Sequence, residues 1–283
     1  MLSFLFWNLN LPEEPAFNSN IENRLARIVA AENVDIIALA EARLPPERIQ
    51  SALPKTAGHS FRHVESASER LRVLTRLPVH ALVPRYDSSD GRLVIMGVKH
   101  KKWELLFAVV HLQSKQHWSE RDQAAQATIQ AREIVRQEEA AGHARTMVIG
   151  DFNMNPFESG MVDATGFHAV MSRRVASSDQ RKVAGSDYRF FYNPMWGLFG
   201  DRTAGPPGTF YYSASRPGEY FWHMFDQVLV RPELIDSLGE VRILASDGTE
   251  TLLTESGHPD KAAGSDHLPI LCRLKALRKQ VKK

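Results

Sequence analysis

The stretch VIGDFNMNP, Val148 to Pro156, decides how this chain is read. Val148, Ile149 and Gly150 run directly into an aspartate and two asparagines, so a buried segment stops abruptly in polar chemistry. Taken alone, the polar half is an ordinary turn, because Asp and Asn side chains bond their own backbone and a following proline ends a strand. A functional reading requires other strand ends that deliver matching groups.

Three such ends exist. LSFLFWN closes at Asn8, VDIIALAE at Glu41 and ELLFAVVH at His111, each with the length and the β-branched or aromatic content of a strand. Toward the C-terminus, MFDQVLVRPELI and SDHLPILCRL restore clear strands and bring Asp226, Asp266 and His267. Between the strands, NRLARIVAAEN places Leu25, Ile28 and Val29 at helical spacing. Glu120 to Ala141 contains neither Pro nor Gly and is rich in Ala, Gln, Glu and Arg, which predicts a helix packed on a sheet through Ala124, Ala127, Ile134 and Val135. LRVLTRLPVHALVP, GRLVIMGVKH and KWELLFAVVH read as successive strands, with KHKKW as an exposed hairpin turn.

From about residue 172 to 224 the pattern is irregular, punctuated by Gly and Pro and crowded with aromatics. Rings in such numbers need burial against the sheet edges or a ligand to cover them. The basic tail KALRKQVKK reads as a solvated helix end. No internal repeat, low-complexity tract or linker divides the chain, so residues 1–283 are expected to form one domain.

Composition fits a folded chain rather than a disordered one: 43% of the 283 residues are hydrophobic and 24% charged. The formal charge of +2 neither requires nor excludes a nucleic-acid partner, since a local basic groove can sit inside a balanced total. One cysteine, Cys272, lies in an apolar run and cannot form an internal disulfide. MLSFLFWNLN has no basic leader and turns polar too early for a signal peptide or a membrane span, which points to a cytoplasmic or otherwise intracellular protein.

Collected, the polar ends are Asn8, Glu41, His111, Asp151, Asn153, Asp226, Asp266 and His267. Carboxylates and amides supply oxygen ligands for a hard divalent cation, and histidines can donate protons to phosphate oxygens. The clustered Cys and His of a structural zinc site are missing.

The ordered set, above all GDFN followed by SDH, resembles the endonuclease/exonuclease/phosphatase superfamily of metal-dependent phosphodiesterases, which includes deoxyribonucleases and neutral sphingomyelinases. The resemblance implies a four-layered α/β sandwich of two packed, mixed, mainly antiparallel sheets. It further implies that Glu41 binds Mg²⁺, with Mn²⁺ as an alternative, supported by Asn8 and Asp266. Asp151 and Asn153 match the pair that orients the attacking water and contacts phosphate, His267 with its partner Asp226 the phosphate-side histidine, and His111 the histidine of the deoxyribonuclease and sphingomyelinase branches. The general acid is left open between His111, His267 and metal-bound water. Arg70 and Arg72 stand where small residues are usual, and Lys115 and Trp118 follow His111; all four are candidate substrate contacts. The expected function is a nuclease acting on DNA. A phosphoesterase for a lipid head group, inositol phosphate or small nucleotide is the alternative, and an inactive binding protein is the reading from a different class.

Overall fold

Along LSFLFWN the side chains alternate between two interiors: Phe4 and Phe6 enter one apolar cluster, Leu5 and Trp7 another, and none is more than 1% exposed. A strand covered on both faces has no polar side, which is why the segment reads as a continuous apolar run. The computed structural model describes residues 1–11, 20–54, 60–101, 103–215, 217–262 and 264–276. The first half comprises β1 (Leu2–Asn8), α1 (Asn20–Glu32), β2 (Ile36–Ala40), α2 (Pro46–Ala52), β3 (Arg62–Val64), β4 (Leu71–Thr75), β5 (Leu82–Asp87), β6 (Leu93–His100) and β7 (Trp103–His111). After α3 (Glu120–Ala141) and β8 (Thr146–Asp151) come the short elements α4 (Ser159–Val162), β9 (Ala169–Val170), α5 (Arg173–Ala176), β10 (Gln180–Val183) and β11 (Ser186–Arg189). The remainder is β12 (Phe191–Tyr192), β13 (Phe210–Tyr211), β14 (Trp222–His223), β15 (Asp226–Val230), β16 (Leu238–Ile243) and β17 (Ile270–Leu274).

Two sheets carry the fold. One has the order β16-β17-β1-β2-β4-β3 and the other β5-β6-β7-β8-β15-β12-β9. Pairing is mainly antiparallel, with parallel exceptions at β1–β2, β7–β8 and β9–β12. Their inner faces meet in a shared core, where the Phe4 and Phe107 rings lie 5.0 Å apart. The outer face of the first sheet packs on α1 and α2 through Leu25, Ile28 and Ile49, and that of the second on α3 through Ala127 and Ile134. Helix, sheet, sheet, helix is the expected four-layered sandwich. Cys272 lies between the sheets against Met147, and burial pushes its thiol up to about 12. No helix among the described residues is long and apolar enough to cross a membrane.

Two sequence expectations shift. LRVLTRLPVHALVP is not one strand: β4 ends at Thr75, Pro78 opens a 3-10 turn at Val79–Ala81, and β5 continues in the other sheet. Helix α3 has the expected bounds, set by a Ser119–Asp122 capping box and by Gly142 in the left-handed region. Its buried stripe, however, is Gln123, Ala127, Gln130, Ala131, Ile134 and Glu138, whereas Val135 is 38% exposed and Ala124 half-buried. Two of its polar residues have buried partners. Gln123 donates to the carbonyls of Gln113 and Asn153, and Glu138 accepts from Arg231 at 2.8 and 3.1 Å. Most of the basic tail, residues 277–283, lies outside the described residues.

Gly150 shows how closely the strand before the polar turn is fitted. It adopts φ 156° opposite Val110 of β7, and a Cβ there would stand 2.0 Å from the Val110 carbonyl oxygen. The close approach that this glycine permits is to the neighbouring strand. Gly150→Ala should cost about 4 kcal/mol or more, because the clash is with backbone and cannot be relieved by a rotamer change. Urea unfolding checks this; a midpoint within error of the parent would mean the β7–β8 ladder is not as tight as the geometry indicates.

Candidate active site

The topology explains why the polar ends meet. Strands β1 and β2 run parallel, as do β7 and β8, so Asn8, Glu41, His111 and Asp151 emerge at one edge of the sandwich. Strand β15 runs antiparallel to β8 and begins there, with Asp226 in register with Asp151. β17 runs antiparallel to β1, and His267 arrives just before it. Among non-glycine residues, Asn10, Glu41 and Asn153 take positive φ of 41°, 47° and 51° at these strand ends. Such backbone is uncommon and clusters where side chains must be aimed.

Asn8 is the hub. Its amide donates to Glu41 Oε1 at 3.3 Å and to Asp151 Oδ2 at 3.0 Å, while its Oδ1 accepts from the Asn10 backbone. Ser265 in turn donates to the Asn8 carbonyl at 2.7 Å, tying the SDH loop to the first strand. His111 Nε2 lies 3.2 Å from Glu41 Oε1 and 3.9 Å from Asp151 Oδ2. The hydrogen bond from His111, working against partial burial and helped by the Asn8 amide, holds the Glu41 carboxyl down to about 2. Glu41 is thus ionised, and its side chain is 25% exposed toward the cleft.

Asp151 accepts from the Asn153 backbone at 2.8 Å and from the Asn153 amide at 3.1 Å. That amide also donates to the Leu112 carbonyl, so in this state Asn153 orients Asp151 and has both donors engaged inside the protein. Burial raises the Asp151 pKa, the nearby Asp226 adds to the rise, and the two histidines oppose it. His267 Nδ1 and Asp226 Oδ2 are 2.8 Å apart, within the hydrogen-bond reach expected of an orienting pair. Burial would lower the His267 pKa, but the Asp226 charge and hydrogen bond, with Asp151 and Asp266, outweigh it and raise it to about 10. Asp266 receives both of its oxygens' hydrogen bonds from Asn10, at 2.9 and 2.8 Å, and pairs with Lys261.

The oxygen-rich donor set fits a hard cation. Asp151, Asp226 and His267 present donor atoms within 4.8 Å of one another, a cluster that could hold a divalent ion. Asp226 Oδ1 is buried without a hydrogen-bond partner, as expected where a further ligand is to be met. Glu41, Asn8 and Asp266 line the same cleft as Asp151 and His267, whereas Asp226 is fully buried and does not line it.

That space is a cleft of about 560 Å³, lined beyond these residues by Lys115, Asn155, Glu158, Glu219 and His223 and by the rings of Phe210, Tyr212 and Tyr220. A second trough of about 690 Å³ shares Glu41, His111 and Ser114 with it and carries Arg43, Arg70 and Arg92. Arg70 therefore lies at the margin of the site. Arg72 does not line either space: its guanidinium bonds the Ser68 and Leu71 carbonyls and braces its own loop. Trp118 precedes the α3 cap, 37% exposed, and is likewise outside both linings. Lys115 lines the cleft but is held by Glu158 and Gln123. The aromatic segment splits between both expectations, with Phe190 and Phe191 buried and Phe210, Tyr212 and Tyr220 walling the cleft.

Sequence reading missed Asn10, Asn155, Glu158, Glu219, His223 and Arg92. Two of these were in view, since FWNLN and DFNMN each repeat an asparagine two residues on. The others contact the site through loops whose pairing no local pattern reveals.

Similar folds occur in D. rerio TDP2 complexed with single strand DNA product (16% identity, 97% of this chain and 98% of that one, TM-score 0.58). They occur also in an endonuclease/exonuclease/phosphatase family protein from Leptotrichia buccalis (14%, 97% and 100%, 0.60) and in a mannosyl-6-phosphatase from Bacteroides thetaiotaomicron (14%, 97% and 99%, 0.60). At these identities the likeness is one of fold. No curated protein matches the chain in sequence. The fold and the Asp151, Asp226, His267 cluster support a metal-dependent phosphoesterase. With the sequence pattern of the Endonuclease/Exonuclease/phosphatase family matched from residue 5 to residue 267, across both sheets and every polar strand end, the chain belongs to that family.

Proposed function

We propose that the protein is a Mg²⁺-dependent phosphodiesterase that hydrolyses nucleic acid, with DNA as the favoured substrate. The observation that carries this reading is the joined cleft. Its two arms meet at Glu41 and His111, one bearing three arginines against Glu69 and Asp90, the other walled by aromatic rings. A polyanion of alternating phosphates and flat bases can occupy both at once. The polar lobe of Asn155, Glu158, Glu219 and Lys115 favours a second reading, a small hydroxyl-rich phosphate ester whose donors would meet those carboxylates.

The chemistry follows from the side chains. A divalent cation, when bound, neutralises charge on the phosphate and polarises the P–O bond. Glu41 would hold it, with Asn8 and Asp266 in support, because Glu41 is ionised and open to the cleft while His267 is engaged with Asp226. Asp151, fixed by three N–H donors, accepts a proton from water as its oxygen bonds to phosphorus. His267, protonated and aligned by Asp226, and His111 across the site bind phosphate oxygens. The P–O bond to the leaving oxygen breaks, and that oxygen takes a proton from one of the imidazoles or from water.

Glu41→Gln keeps the size of the side chain and removes the charge. The Mg²⁺ concentration for half-maximal activity should rise about 10- to 100-fold. Calorimetric Mg²⁺ titration should move in parallel. If Glu41→Gln binds Mg²⁺ like the parent and Asp226→Asn does not, the ion sits in the Asp151, Asp226, His267 cluster instead. A hydrolysis panel of duplex DNA, single strands, RNA, inositol phosphates and sphingomyelin, with Glu41→Gln as control, tests the substrate. Turnover confined to a small phosphate ester would reverse the ranking.

A further inference from the structure

Beside the cleft, four aromatic rings gather on the surface. Phe157, from the turn that follows GDFNMNP, has its ring centroid 5.3 Å from Tyr220, 6.2 Å from Phe199 and 6.4 Å from Trp196. Tyr220 is 60% exposed and itself lines the cleft, as does Tyr212 at 45%. Further in, the Phe210 ring lies 4.7 Å from that of His267. The His223 ring lies 6.2 Å from both Phe210 and Tyr220, so a chain of tilted and edge-on rings runs from His267 to the outer surface.

Tyr220 is held in place by buried polar groups rather than by apolar packing alone. Asn155 Oδ1 accepts from the Met224 backbone, and the Asn155 amide donates to Glu158 Oε1 and to His223 Nδ1. With Nδ1 accepting, the His223 proton sits on Nε2 and is directed to Glu219 Oε1 at 3.2 Å. Glu219 also accepts from the backbone N–H groups of Tyr220 and Phe221. The relay links the end of the GDFNMN loop to the backbone that carries the exposed ring. A side chain meant only to cover its neighbours would not need this support.

The opposite arm carries Arg43, Arg70 and Arg92 and joins the aromatic one at Glu41, His111 and Ser114. A ligand spanning both places anionic groups on one side of the reacting centre and a flat ring on the other. In a duplex each base is already stacked between its neighbours, so an open ring face selects an unpaired base. We propose that Tyr220, backed by Phe157, is the stacking platform for an unpaired nucleobase next to the scissile phosphate, so that the preferred substrate is a single strand. The assignment rests on the nucleic-acid reading above and narrows it.

The test pairs a change in the protein with a change in the strand. A fluorescein-labelled single-stranded dodecamer is bound to the parent, Tyr220→Ala and Tyr220→Trp in EDTA, intact or with one abasic position moved along it. Cleavage is followed separately with Mg²⁺. Tyr220→Ala should raise the Kd of the intact strand on the order of tenfold, and Tyr220→Trp should restore it. An abasic position at the platform should raise the parental Kd by the same factor and have no further effect in Tyr220→Ala. Binding of the matching duplex should be insensitive to both variants. A strand bound with this coupling but never cleaved keeps the platform and overturns the nuclease reading. Cleavage with Kd values indifferent to Tyr220, or with the two losses simply multiplying, overturns the platform alone. Neither binding nor cleavage overturns both.

Discussion

Asp151→Asn is expected to fold and to bind substrate like the parent chain while losing about 10²- to 10⁴-fold in kcat. The replacement keeps the size of a side chain that is 1% exposed, and its carbonyl oxygen can take the place of Oδ2 as acceptor for the Asn8 and Asn153 amides, at the cost of the bond from the Asn153 backbone N–H to Oδ1. What disappears is the proton acceptor. Burial raises the Asp151 pKa, against the pull of the two histidines, which makes the carboxylate a stronger base than an exposed aspartate. Because the proton moves only as water attacks, the loss falls on kcat and not on ground-state binding. Folded content by circular dichroism, substrate affinity and single-turnover cleavage are to be measured on one preparation. A folded, substrate-bound Asp151→Asn that cleaves at the parental rate would return this residue to the role of turn former.

The same residue shows what the sequence makes legible. Strands buried on both faces appear as unbroken apolar runs, so the point where a run meets Asn8, His111 or Asp151 marks the sheet edge without reference to any partner. The site's gathering place follows from those stops, whereas the four layers are implied by the family resemblance of GDFN and SDH and not by the runs themselves. Contacts that close across long sequence intervals are not legible in this way. Asn155 meets His223 over 68 residues, and nothing in the EYFWHM segment announces that its histidine faces an asparagine of another loop. Arg72 failed for the opposite reason. It is a candidate substrate contact in the sequence because it stands where small residues are usual, but the nearby Ser68 carbonyl claims its guanidinium at 2.6 Å. The Val135 reading failed because burial on α3 is set by the sheet beneath it, and that sheet accepts Gln123 and Glu138 once their hydrogen bonds are made.

Family membership settles the frame of the site more firmly than what enters it. Asn8, Glu41, Asp151 and His267 stand on strand ends that the two sheets fix against each other. The arms of the cleft are built by loops: the hairpin turn before Arg92 on one side and the β13–β14 segment with Tyr212 and Tyr220 on the other. Loops can change without disturbing the sheets, so substrate choice in this chain is argued from Arg92 and Tyr220 rather than from the catalytic edge.

Asp226→Asn separates orientation of His267 from mere packing. The Asp226 side chain is buried at the start of β15, its backbone N–H donates to Thr209 Oγ1, and its Oδ2 meets His267 Nδ1 at 2.8 Å. Asparagine fits the same space but removes the charge that overcomes burial and raises the imidazole to about 10. Two effects follow. The ring loses its fixed orientation, for which a fall in kcat of about a hundredfold or more is expected. The second effect is on pH dependence, and its sign is set by the direction of the shift. In the parent, the imidazolium proposed to bind phosphate persists from neutral pH up to about 10, so kcat/KM on the alkaline side should hold until that limb is reached. In Asp226→Asn burial is no longer opposed by this partner, the histidine pKa falls, and kcat/KM should decline at lower pH than in the parent. A structural role alone predicts a lower rate with an unshifted profile. An Asp226→Asn chain that remains folded and shows the parental kcat under chemistry-limited conditions, or the parental alkaline limb, defeats the orienting role and leaves the pair as a buried ionic contact of the core.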